Sequence, residues 1–200
     1  MTGIVSTALM GFLVASSAPW ALPADSIQAA EAIQEPTYPT YTVSMTGYNA
    51  VPAQTDGDPY TTASGAYSNP EVIAARSVDL KDELPFGTVI EIVTTSASTS
   101  PNCGIGVVDD HIGYRVIGDS MHSRKRNQID LLFINDKVVR AAGKVVNPAV
   151  AFGVCKNVEI RVVGKVDIKK IPKTQDELRR AIGALPKAEA QNLALKKLDN

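Results

Sequence analysis

YRVIGDSMHSRKRNQIDLLF, residues 114–133, is the stretch on which the fold turns. Both ends are apolar and β-forming and the middle is polar, so it reads as strand, loop, strand. Asp119 closes the first apolar run and Asp130 stands at the start of the second. Between them lie Ser120, His122, Ser123, Arg124, Lys125, Arg126 and Asn127. Adjacent strands lie about 5 Å apart, so a connection of this length is expected to bring both acids to one rim. Two neighbouring carboxylates cannot both ionise cheaply, and one pKa rises. A carboxylic acid tuned this way can protonate a glycosidic oxygen near neutral pH. Asp130 is the expected acid, because Leu131, Leu132 and Phe133 follow it and withdraw it from water. Asp119 is then the partner that tunes or orients it. Asp79 is a third acid expected to converge on them. The spacing alone suits turn caps equally well, or ion pairs with Arg124, Lys125 or Arg126.

Outward from this stretch the chain is rich in short β patterns. Residues 41–48 (YTVSMTGY), 72–76, 88–94 (TVIEIVT), 128–134 and 158–163 (VEIRVV) read as strands. Residues 104–109 and 114–118 read as two more, flanking a bend at 110–113. A polar loop at 49–67 is broken by Pro52, Gly57, Pro59 and Gly65. Residues 136–143 (DKVVRAAG) have helical spacing and a terminal Gly, which predicts one short helix. About seven short strands with Gly/Pro turns predict a mainly β protein, a compact β-barrel. From residue 174 onward the pattern is one or two amphipathic helices broken near Pro186. This tail reads as a solvated appendage more readily than as an arm for anionic polymer.

The 200 residues suit one domain plus tails, and a hydrophobic fraction of 44% excludes wholesale disorder. The net charge of −1 gives no reason to expect nucleic acid as a partner. Charge is unevenly placed: no Lys or Arg precedes Arg76, while residues 165–200 hold nine basic and five acidic side chains. Residues 3–24 carry no charge and have an apolar centre at 8–15 followed by small residues and prolines. Residues 1–24 are therefore expected to be an export signal, with a membrane anchor or a buried helix as the alternatives. Residues 25–40, rich in Ala, Glu, Pro and Thr, read as an extended linker. The domain then spans 41–166 and the basic tail 167–200. An exported chain with two cysteines, Cys103 and Cys155, favours a disulfide over two buried thiols. Two cysteines are too few for a structural zinc.

Several motifs, taken in order, resemble the three-aspartate (3D) domain family. They are Thr46-Gly47-Tyr48; Thr62-Ala63-Ser64-Gly65; Val78-Asp79 before Leu84-Pro85-Phe86-Gly87-Thr88; Val116-Ile-Gly-Asp119 with Asn127-Gln-Ile-Asp130-Leu-Leu-Phe133; and Phe152-Gly153 before Val158-Glu-Ile-Arg-Val. The resemblance covers residues 41–166. It implies a six-stranded double-psi β-barrel similar to the catalytic barrel of MltA-type lytic transglycosylases. It also implies cleavage of the β-1,4 bond between N-acetylmuramic acid and N-acetylglucosamine in peptidoglycan. By position, Asp130 is the implied acid and base, and Asp119 and Asp79 match the other two aspartates. Substrate contacts are expected from Tyr48, Thr62, Ser120, His122, Lys125 and Asn127. The implied partner is the glycan strand, met outside the cell by a monomer that needs no cofactor and no metal. One departure is plain: the family's loop Thr-Gly-Gly-Ala-Ile-Lys-Gly is here Ser120-Met-His-Ser-Arg-Lys-Arg126, in which Lys125 keeps the basic position. A non-catalytic, expansin-like wall-binding module on the same fold is the alternative.

Other constellations carry less. Asp109, Asp110, His111 and His122 hold metal-binding side-chain types without the fixed spacing of a zinc enzyme. Tyr48 and Tyr60 are candidates for stacking on sugar faces. Neither Ser64 nor Ser120 sits in a nucleophile elbow.

Overall fold

The computed structural model describes residues 38–93 and 101–184. The expected signal or anchor, nearly all of the linker and the tail beyond residue 184 lie outside them. The described chain is mainly β and closes into a six-stranded barrel. Its strands are β1 (Thr40–Asn49), β2 (Ile73–Arg76), β3 (Thr88–Val93), β4 (Arg115–Ser120), β5 (Gln128–Phe133) and, last in the chain, β8 (Cys155–Lys165). Around the barrel they run β1-β5-β2-β4-β3-β8. The pairs β1–β5 and β2–β4 are parallel and the other four are antiparallel.

Alternation along each strand decides what fills the barrel. Val43 and Met45 of β1, Ala74 of β2, Ile117 of β4, Ile129 and Leu131 of β5 and Val158 and Ile160 of β8 point inward with Phe133 and Phe152. The opposite faces of β2, β4 and β5 carry Ile73, Val116 and Leu132, which form a second cluster with Leu178. Arg115 is fully buried between these layers. Its guanidinium donates to the carbonyls of Ile112 and Pro70, both at 2.7 Å, and of Leu132 at 3.1 Å, and also bonds His111. One side chain thereby ties the turn before β4 to the loop before β2 and to the end of β5.

Two expected elements change. Residues 104–109 do not form a strand. They make 3-10 turns at Ile105–Val107 and Asp109–His111, which aim the His111 and Ile112 carbonyls at Arg115. Residues 136–143 are not a helix. They belong to a hairpin of β6 (Val139–Ala141) and β7 (Lys144–Val146). Its two linking residues, Ala142 and Gly143, have φ of 47° and 77°, the geometry of a tight two-residue hairpin turn. The short helix is instead α1 (Pro148–Phe152), capped by the Asn147 side chain on the Ala149 amide.

The C-terminal helix is present as α2 (Gln175–Ala181), but as far as it is described it is no solvated appendage. Leu178 is fully buried, which stabilises by roughly 1.5–3 kcal/mol. Gln175 accepts from the Tyr114 amide at 2.9 Å and donates to the Tyr114 carbonyl at 2.8 Å. A Cβ at position 113 would lie 2.4 Å from the Gln175 side chain, and Gly113 has φ of 58°, so a larger residue there would push Gln175 aside and strain the turn. Cys103 and Cys155 form a disulfide that closes a 52-residue separation. The chain-entropy account puts its contribution at about 4 kcal/mol. The bond is consistent with an oxidising compartment.

Candidate functional site

Register builds the site. Thr46 of β1 pairs with Asp130 of β5, Asp130 pairs with Ala75 of β2, and Ala75 pairs with Asp119 of β4. These four residues form one row across four neighbouring strands, on the barrel's outer face. The two acids are therefore not on adjacent strands. β2 separates them, placing their backbones two strand spacings apart, about 10 Å. Between them stands Ala75, whose methyl group leaves the space open. The polar loop after β1 covers this face and creates a cleft of about 420 Å³ lined by Tyr48, Ala75, Asp119, Ser120, His122, Lys125 and Asp130, with Met121 and loop residues including Gln54, Asp56, Asp58 and Ala63.

The two carboxylates are held differently. Asp119 is held by three bonds: Oδ1 accepts from the backbone amides of Ala63 and Ser120, both at 2.8 Å, and Oδ2 accepts from the Tyr48 hydroxyl at 2.9 Å. Burial, and then the Asp119 charge, raise the Tyr48 phenol well above its ordinary range, so Tyr48 is a neutral donor. Asp130 takes one described bond, from the Thr46 hydroxyl to Oδ1 at 2.9 Å. Thr46 in turn accepts from the Gln128 side-chain amide at 2.7 Å. Burial pushes the Asp130 carboxyl up to about 6. The Thr46 bond and Lys125 pull it down, and the Asp119 charge adds the smallest push upward. Asp130 is thus a raised acid because it is desolvated, and the expected rise from a close acid pair is a minor effect.

The other expected site residues divide. Tyr48, Ser120, His122 and Lys125 line the cleft. Thr62 is buried and bonds the Ala66 carbonyl and the Ser64 hydroxyl, both at 3.0 Å, shaping the loop. Asp79 does not line the cleft. Its Oδ2 accepts from the Asn127 amide at 2.9 Å. Against a burial effect that raises it, bonds from Ser77 and Asn127 hold the Asp79 carboxyl below its ordinary value. Asn127 has φ of 44°, and its side chain donates to the Thr42 carbonyl at 3.1 Å. Asp79 and Asn127 therefore fix the entry into β5. The three aspartates do not converge: two face the cleft and the third holds the strand that carries Asp130. Arg124 and Arg126 form no ion pair with either cleft acid. Among the described residues the ion pair formed is Arg161–Glu91.

Thr46, Gln128 and Ala75 are the site residues that local sequence does not single out. Thr46 belongs to the Thr46-Gly47-Tyr48 motif, but its pairing with Asp130 depends on a parallel contact 84 residues away. Asp109, Asp110 and His111 line a different cavity, of about 520 Å³, away from His122. No family model matches the chain, and no curated protein matches it.

Proposed function

We propose that the chain is an exported peptidoglycan-remodelling enzyme, a lytic transglycosylase-like three-aspartate domain on a double-psi barrel, with Asp130 as acid and base. One observation carries this reading: a single desolvated carboxyl, pushed up to about 6, faces an open polar cleft. The ordered motifs and the closed barrel with two parallel pairs support it. Asp130 donates its proton to the glycosidic oxygen as the C1–O bond breaks and N-acetylglucosamine leaves. The resulting Asp130 carboxylate then takes the proton of the muramic acid 6-hydroxyl as that oxygen bonds C1. The product is a 1,6-anhydro ring, the proton is returned to Asp130, and no water is consumed. This sequence needs one acid, which suits a site where Asp119 already accepts from three protein donors. Asp119 orients Tyr48 and Ser120 along the cleft wall. A carboxyl at about 6 is protonated in roughly a tenth of molecules at pH 7 and releases its proton readily, as an acid that becomes a base requires.

A second reading, a non-catalytic wall-binding module, is favoured by the 120–126 loop, where Met121, His122 and Lys125 occupy cleft-lining positions. Incubation of purified peptidoglycan with wild type and Asp130→Asn separates the two. The enzyme reading expects anhydro-ended soluble fragments from wild type alone. Salt-sensitive sedimentation of both proteins with peptidoglycan, with no released sugar, refutes it in favour of the binding module.

A further inference from the structure

We propose that Gln128 is a positioning residue for Asp130, acting through the Thr46 hydroxyl to reserve Oδ2 as the oxygen that faces the cleft and carries the proton. Donor counting at Thr46 fixes the direction of the relay. A threonine hydroxyl has a single hydrogen. The Gln128 amide donates to Thr46 Oγ1 at 2.7 Å, so that oxygen is already an acceptor and its one hydrogen is directed elsewhere. The partner it reaches is Asp130 Oδ1, at 2.9 Å. Oδ2 takes no hydrogen bond from the described residues. With Oδ1 committed to accepting, a proton on Asp130 resides on Oδ2, and the orientation of the acid is set before substrate arrives. Gln128 and Asp130 both project from the outer face of β5, at i and i+2, and Thr46 is Asp130's register partner on β1. The relay is therefore built from the barrel's own pairing and not from a mobile loop.

The charged and titratable groups around Asp130 are Tyr48 on β1, Asp119 on β4, Lys125 and His122 on the 120–126 loop, and Asp56 and Asp58 on the covering loop. β2 contributes only Ala75. None of these hydrogen-bonds the Thr46 hydroxyl, whose partners are Asp130 and Gln128.

The catalytic meaning of the relay rests on the glycan-cleaving reading, but its existence does not. The test is a carbon-13 NMR titration of the Asp130 carboxyl, without substrate, in wild type and in Thr46→Ser, Thr46→Val, Gln128→Leu and Gln128→Glu. Thr46→Ser keeps the hydroxyl and is expected to titrate with wild type. Thr46→Val removes the donor, and the midpoint is expected to rise by about one pH unit. Gln128→Glu replaces the donor by an acceptor. The Thr46 hydrogen then turns toward position 128, and Asp130 is expected to rise at least as far as in Thr46→Val. Gln128→Leu removes only the polarisation of the hydroxyl and is expected to shift far less. A midpoint in Thr46→Val or Gln128→Glu that stays at the wild-type value overturns the proposal. So do equal shifts for the Leu and Glu variants, which would mean that hydrogen-bond direction at position 128 is immaterial. Thr46→Ser, as the conservative variant, confirms that a null or altered titration is not a folding failure. Absence of anhydro product from wild type, by contrast, would remove the enzymatic reading and leave the titration result standing.

Discussion

Replacing Asp130 by Asn should make the protein more stable at neutral pH. The folded-state carboxyl is pushed up to about 6 from the ordinary 3.8. Its folded pKa is raised, so ionisation is penalised: the wild type loses stability as pH rises from about 4 through about 6, and the loss is complete above that. Each pKa unit is worth about 1.36 kcal/mol, so a shift of about two units costs about 3 kcal/mol. Asn is nearly isosteric and its side-chain oxygen still accepts from Thr46, while it carries no charge to desolvate. Asp130→Asn is therefore expected to gain about 3 kcal/mol at about pH 7.5 and only about 0.5 kcal/mol near pH 4, where the unfolded carboxyl is already half protonated. For a domain of this size the neutral-pH gain corresponds to a Tm higher by roughly 6–12 °C. Denaturant unfolding of both proteins at the two pH values, with the disulfide intact, measures it. Equal gains at both pH values would rule out ionisation of Asp130 as the cause. A loss at neutral pH would do so more strongly. A group that destabilises the fold at neutral pH and faces a cleft has the character of a functional residue.

Other perturbations separate the parts of the account. Ala75→Leu fills the gap between Asp119 and Asp130 and is expected to reduce sedimentation with insoluble peptidoglycan at least tenfold, at a stability cost of about 1–3 kcal/mol; unchanged sedimentation would place the ligand elsewhere. Asp79→Asn is expected to keep product formation within about threefold of wild type, because Asp79 holds the Asn127 amide outside the cleft. Its carboxyl is held low, so the stability it contributes is present above the ordinary carboxylate pKa and fades as pH falls through the folded value; acid-range melts of the two proteins should converge. Arg115→Met strands the carbonyls of Ile112, Pro70 and Leu132 and is expected to cost roughly 3–5 kcal/mol in denaturant unfolding.

The parts of this structure that were legible in the sequence are those that depend on neighbours along the chain. Strand positions follow from alternation, as at β1 and β5, and the desolvation of Asp130 follows from the Leu-Leu-Phe run behind it. Strand order does not, because two of the six barrel pairings are parallel and join residues far apart. The loop from Asp119 to Asp130 looks like a hairpin connection, yet β2 inserts between its two strands. That insertion doubles the expected separation of the acids and replaces like-charge coupling with burial as the reason Asp130 is raised. Residues 136–143 show the same limit in miniature. Lys137, Arg140, Ala141 and Ala142 favour a helix by propensity, and tertiary pairing overrides them by turning the chain at Ala142-Gly143. Asp79 shows it in the site: its motif is recognisable, but its partner, the Asn127 amide, is set by the three-dimensional path into β5.

Digestion of purified peptidoglycan in oxygen-18 water, followed by mass spectrometry of the released fragments, shows where the oxygen at the cleaved C1 comes from. Asp130 acting as acid and then as base on the sugar's own 6-hydroxyl predicts 1,6-anhydro ends with no oxygen-18 from the wild type, and none from Asp130→Asn. Reducing ends that each carry one oxygen-18, or the same products from both proteins, would contradict it.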